Sequence, residues 1–243
     1  MLLGILQCDT VDTDLQASFG DYPDMLKRLL TGGNEPSPWT FHTYDLPRGQ
    51  MPPSTVACDA WLMTGSRWSA YDPDEWIARA HRFVRKLHDE RRPLVAICFG
   101  HQLVCRALGG CVDKAEAGWG VGVHTTRIIE HQAWMKPELR AMSLVVSHQD
   151  QVLAAPAAAT VLAGHAFCPL AMLQIGDHIL TLQGHPDFAK GYSRALQDRR
   201  RETIGEATYQ EGIASLEKPV DAEIVAGWIR AFLHRCAQES ATG

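Results

Sequence analysis

Pro93 opens a five-residue apolar run, Leu94-Val95-Ala96-Ile97-Cys98, that passes without a spacer into Phe99-Gly100-His101-Gln102 and a helical stretch closed by Gly109-Gly110. An unbroken apolar run of this length suits a strand buried on both faces. Such strands belong to parallel sheets, whose neighbours are joined by helical crossovers, so this junction commits the chain to an α/β architecture. It also predicts a sharp strand-to-helix turn with a cysteine at its apex.

The flanking sequence agrees. Residues 2–8 (LLGILQC), 40–46 and 57–63 read as further strands, and FGDYPDMLKRLL predicts a helix over 19–31 that stops at Gly32-Gly33. Asp72, Pro73 and Glu75 form a helix-start signature. Trp76, Ile77, Ala80, Phe83, Val84 and Leu87 then share one helical face, with Arg79, Arg82, Arg85 and Lys86 on the solvated side. The order to this point is βαββαβα. The middle third changes character: VGVHTTRIIE, LVVSHQDQV, TVLAGHA, AMLQIG and HILTLQG are short, β-rich segments that predict a partly antiparallel extension of the sheet. After Pro186 the chain turns helical, ending in a segment over about 219–238 whose Ile224, Val225, Trp228, Ile229, Phe232 and Cys236 face the core. No repeat or linker interrupts the pattern. The expectation is one domain over 1–243, with a C-terminal helical extension from about 189.

Composition removes several function classes. The 243 residues are 46% hydrophobic and 21% charged with a net charge of -5, and no basic stripe is present, which argues against nucleic-acid binding. No apolar run approaches the ~20 residues that cross a bilayer. The N-terminal MLLGILQCDT lacks the charged start and cleavage site of a leader. Seven cysteines include no CxxC pair, as expected of a reduced cytoplasmic protein, and the eleven histidines show no zinc spacing. The reading is therefore no metal and no cofactor. Gly118, Gly120 and Gly122 match no nucleotide-binding fingerprint. Asp9, Asp12 and Asp14 follow the first strand, and Arg199-Arg200-Arg201 reads as a solvated helix face.

The chemistry concentrates in three places. Cys98 stands at a helix N-terminus, whose partial positive charge favours thiolate, and the Phe99 amide points toward any oxygen on the attacked carbon. In Gln183-Gly184-His185-Pro186-Asp187, His185 and Asp187 lie two apart, on one side of an extended chain. That spacing suits a base and the group that orients it. Leu62-Met63-Thr64-Gly65-Ser66 ends another strand in a glycine turn, where the Gly65 amide offers a second oxyanion donor.

Together these motifs resemble class I glutamine amidotransferases, whose nucleophile lies in Cys-x-Gly-x-Gln and whose base lies in a Gln-x-His-Pro-Glu-like stretch. The resemblance covers about residues 57–188, including GHQLVCRALGG and SHQDQV. It implies a flavodoxin-like three-layer α/β fold, with a mostly parallel central sheet, the antiparallel extension and C-terminal helices. It implies Cys98 as nucleophile, His185 as base and Asp187 in the position usually held by Glu, with Gly65 and Phe99 as oxyanion hole. Gln102, Ser147 and His148 are implied to hold the glutamine end of a small-molecule glutamine or γ-glutamyl substrate. Gln149 replaces the Gly usual in ammonia-transferring members, and SHQD looks more like stand-alone members and γ-glutamyl peptidases. The expected activity is cysteine-dependent hydrolysis of a γ-glutamyl amide through a thioester. The alternatives are a glutaminase subunit feeding ammonia to a separate synthase partner, and a non-catalytic binding or regulatory module on the same fold.

Overall fold

The computed structural model describes residues 1–33 and 37–242, with side chains through Cys236. The chain begins with β1 (Leu2–Gln7), α1 (Thr13–Phe19), α2 (Tyr22–Thr31), β2 (Thr40–Asp45) and β3 (Ala60–Met63). Next come α3 (Glu75–Asp89), β4 (Leu94–Ile97), α4 (Phe99–Ala107), β5 (Cys111–Lys114) and β6 (Gly120–Ile128). Then follow β7 (Ala141–His148), β8 (Asp150–Ala154), β9 (Ala159–Gly164), β10 (Met172–Ile175) and β11 (Ile179–Leu182). Helices α5 (Lys190–Arg199), α6 (Arg201–Ile204), α7 (Glu206–Ser215) and α8 (Ala222–Thr242) complete it.

Nine strands make one sheet in the order β2–β1–β3–β4–β11–β10–β9–β6–β7, while β5 and β8 form a separate antiparallel pair. The pairs from β2 to β11 are parallel, and those from β11 to β7 are antiparallel. This is the α/β class read from the sequence, with its antiparallel extension. The period of two along β4 separates two cores. Val95 and Ile97 join Leu26, Val225, Trp228 and Phe232 of α2 and α8 on one face. Leu94 and Ala96 join Ile77, Val84 and Leu103 of α3 and α4 on the other. Burying each of these large side chains contributes of order 2 kcal/mol relative to exposure.

Two helix starts depart from the sequence reading. Helix α3 begins at Glu75 with no side-chain cap, and the Asp72 carboxylate instead accepts from the Ser69 amide at 2.8 Å, folding the preceding loop. The reciprocal capping box lies at α2, between Asp21 and Asp24. Helix α1 lies outside the sequence reading because it is seven residues long and its apolar face is only Leu15 and Phe19, both half-buried. The 57–63 strand also shortens to Ala60–Met63.

Helix α7 docks on β6 through a close backbone approach. Gly122 adopts φ 84°, and a Cβ there would collide with Ser215 Oγ and the Gly212 carbonyl. Ser215 Oγ accepts from the Val123 amide at 2.8 Å and donates to the Gly212 carbonyl at 2.6 Å. This contact brings the C-terminal helices beside the carboxyl ends of the parallel strands.

Candidate active site

Ligands of open α/β sheets bind beyond the carboxyl ends of the strands. At that edge β1, β3, β4 and β11 lead into Asp9, Gly65, Cys98 and His185 respectively. The Cys98 amide donates to Leu182 O at 2.7 Å, so β4 stays paired with β11 up to the turn. Cys98 itself then takes φ 54° and ψ −105°, a strained backbone for a residue with a Cβ. The positive φ of the turn falls on Cys98 and not on Gly100. Gly100 has a different purpose: a Cβ there would stand 2.9 Å from Met63 Cγ, so its absence lets α4 lie against β3.

His185 arrives from the other strand end. Its amide donates to Val145 O at 2.8 Å, and its ring stacks on Phe188 at 3.6 Å between centroids. Nδ1 lies 3.1 Å from Asp187 Oδ1, with both side chains buried. The ring and the Cys98 side chain both lie against Gly65, close enough for the sulfur to act on the charge of the imidazole. Burial alone would depress the imidazole pKa. The charge of the Cys98 sulfur and that of Asp187, with their hydrogen bonds, outweigh it and raise the value to about 10. These partners therefore favour the protonated ring.

The other nearby imidazoles behave oppositely. Burial lowers His101 and His148 to about 3, and both are neutral. His101 Nδ1 is engaged with Thr181 Oγ1 at 2.8 Å, and His148 Nδ1 with Asp150 O at 3.1 Å. Gly65 sits against both members of the pair: a Cβ there would be 2.9 Å from His185 Cε1 and 3.6 Å from Cys98 Cβ. Among the described residues, the Gly65 and Phe99 amides have no hydrogen-bond acceptor.

One residue near the sulfur received no role from the sequence. Gln183 Nε2 donates to Cys98 Sγ at 3.6 Å, while its Oε1 accepts from Gln102 Nε2 at 3.1 Å. Gln102 also donates to Asp150 O at 2.7 Å. Gln183, His185 and Asp187 share one side of an extended segment, and that alternation was the available signal. A cleft of about 410 Å³ opens over Cys98, and Gln102, Ser147 and His148 all line it. Arg67 lines it too, anchored by bonds from its Nε to the buried Asp9 carboxylate at 2.9 and 3.2 Å. Asp9 therefore acts through Arg67, while Asp12 and Asp14 pair with Arg199. The arginine triplet does not form a uniform solvated face, because Arg200 lines the cleft. No helix among the described residues is long and apolar enough to cross a membrane.

Comparison with known proteins gives a consistent result. The model of the family "Glutamine amidotransferase class-I" matches residues 60–196. Gamma-glutamyl peptidase 3 of Arabidopsis thaliana is 28% identical over 78% of this chain and 78% of its own. A putative glutamine amidotransferase-like protein of Schizosaccharomyces pombe is 27% identical over 95% and 98%. The crystal structure of a glutamine amidotransferase from Thermotoga maritima has the same fold, with a TM-score of 0.76, 16% identity and 98% of each chain covered. The chain belongs to the class I glutamine amidotransferase family.

Proposed function

We propose that the protein hydrolyses γ-glutamyl amides, with Cys98 as nucleophile, His185 as base and acid, and Asp187 orienting the ring. The reading rests on one observation above the others. A strained cysteine at a strand-to-helix turn lies beside an imidazole whose Nδ1 faces a buried carboxylate. Similarity to γ-glutamyl peptidases over most of both chains supports the substrate class.

In this mechanism the Cys98 thiolate attacks the γ-carbonyl carbon, forming a C–S bond while the carbonyl π pair moves to oxygen. The oxyanion is held by the Gly65 and Phe99 amides. Collapse breaks the C–N bond, and the amine or ammonia leaves with the His185 proton. His185 then takes a proton from water, whose oxygen attacks the thioester. Glutamate departs and the thiolate–imidazolium pair is restored. Gln183 holds the sulfur, and Gln102 with the Ser147–His148 stretch receives the amino-acid end of the donor. Residues 1–243 work as one unit in this reading, with the segment from about 189 completing the cleft wall.

Release of free ammonia or amine is favoured by the likeness to γ-glutamyl peptidases and by Gln149 in the SHQD stretch. Family membership favours, as the second reading, ammonia delivery to a separate synthase subunit. The test is mass-spectrometric measurement of glutamate release from a panel of γ-glutamyl compounds, glutamine included. Release by the wild-type chain, abolished in Cys98→Ala, is the expected result. Release that persists in Cys98→Ala overturns the proposal.

A further inference from the structure

Arg199, Arg200 and Arg201 are consecutive, yet among the described residues the middle one alone makes no ion pair. Arg199 pairs with Asp12 at 2.8 Å and with Asp14, and Arg201 pairs with Glu206 at 2.6 Å. These two bridges pin the helices on either side. Arg200 stands at the break between α5 and α6, with φ −100° and ψ 8°, and this break turns its side chain into the cleft above Cys98. There Nη1 donates to Ser147 Oγ at 3.2 Å, and the guanidinium lies 5.9 Å from the Trp119 ring centroid. Among the described residues, no carboxylate is within ion-pair reach of it. Two neutral contacts therefore hold a half-buried guanidinium at the wall of the cleft.

The geometry points to Arg200 as the residue that binds the α-carboxylate of the γ-glutamyl donor, supplied by the C-terminal helices rather than by the sheet. This assignment rests on the γ-glutamyl reading above. A guanidinium offers paired N–H donors matched to a carboxylate, and an unpaired one beside a binding cleft attracts that group strongly. Its tie to Ser147 sets the charge at the wall that receives the donor's amino-acid end. The same cleft is lined by Arg67, which is committed to Asp9, by Lys114, and by Asp150, whose carboxylate accepts from Tyr71 Oη at 3.3 Å and whose cross-strand partner is Lys114. A cation and a carboxylate in one cleft fit a zwitterionic α-amino acid, which carries a carboxylate and an ammonium on one carbon. In the folded chain Ser147 Oγ keeps the guanidinium oriented before substrate arrives, which reduces the ordering cost of binding.

The test compares wild type, Arg200→Gln and Arg200→Lys on three donors: γ-L-glutamyl-glycine, γ-L-glutamyl-ethylamide, and the ethylamide with its α-carboxylate converted to a primary amide. Arg200→Gln retains part of the stem over Trp119, and an unchanged melting temperature is checked for each variant. KM should rise roughly 10- to 100-fold in Arg200→Gln for both donors that keep the α-carboxylate, with kcat changing less. Arg200→Lys should recover part of that loss. The amidated donor, poor for wild type, should be no worse for either variant. An equal loss on all three donors assigns Arg200 a structural role and overturns the inference. A loss confined to γ-glutamyl-glycine moves the contact to the leaving group and overturns it as well. Absence of wild-type turnover on every donor removes the γ-glutamyl reading itself, an outcome distinct from the other two.

Discussion

Cys98 keeps a backbone conformation that costs of order 1–3 kcal/mol for a residue with a side chain, and three groups give that strain its use. Gln183 donates to the sulfur, the His185 ring lies beside it, and Asp187 fixes Nδ1 of that ring. The other cysteines differ in their surroundings: burial pushes Cys105 and Cys168 up to about 12, leaving them neutral thiols. Two predictions belong at this scale. Asp187→Asn should lower kcat/KM by roughly 10- to 1,000-fold, less than the ~10⁴-fold loss in a serine triad, because a thiol is more acidic than a serine hydroxyl and leans less on its base. Asp187→Glu should retain more activity than Asp187→Asn, and a side-by-side kinetic comparison on one donor decides the order. The second concerns the proton on His185. Its value of about 10 depends on the charged sulfur, so the ring should be doubly protonated at pH 7.5 in wild type. In Cys98→Ala burial is opposed by Asp187 alone, and the ring should titrate at lower pH. Nitrogen-15 NMR of the imidazole reads both states, and an identical titration in the two proteins would contradict the ion pair. The same value sets the direction of the alkaline limb: the proton donor is lost, and kcat falls, as pH rises through about 10.

Elements were legible in the sequence wherever burial imposed a period. The run from Leu94 to Cys98, the apolar face of α3 and the core face of α8 all appear in the structure at the expected residues. Helix α1 was invisible because two half-buried residues, Leu15 and Phe19, are too few to set a period, and the start of α3 was misplaced because Asp72 serves the loop instead of the helix. The return of β11 to lie parallel beside β4 could not be read from local pattern, since strand order is a property of the whole sheet. The site followed the same division. Cys98, His185 and Asp187 lay in short motifs and were named from sequence, whereas Arg200 lay in a charge triplet whose members are distinguished only by the tertiary partners of its neighbours. That position depends on the docking of α7 on β6. Gly122→Ala introduces a Cβ into Ser215 and the Gly212 carbonyl at a residue with φ 84°. It should destabilise the fold by about 1–3 kcal/mol and raise KM for γ-glutamyl donors by displacing Arg200. Urea unfolding and steady-state kinetics check the two effects, and unchanged values in both would show that α7 tolerates the insertion.

Across the whole molecule, the parallel half of the sheet gathers the ends of β1, β3, β4 and β11 at one edge, and the antiparallel half carries the β7 wall that faces them. The C-terminal helices close the remaining side. The central claim is that this assembly forms a γ-glutamyl thioester on Cys98. Its most direct test is intact-protein mass spectrometry after acid quenching during turnover of a γ-glutamyl donor, followed by peptide mapping. Cys111 is exposed and serves as the internal control for adventitious acylation. The account predicts one added γ-glutamyl group per chain, located on the peptide containing Cys98 and absent from Cys98→Ala. A γ-glutamyl group on Cys58, Cys105 or Cys111, or steady turnover with no adduct on Cys98, would contradict it.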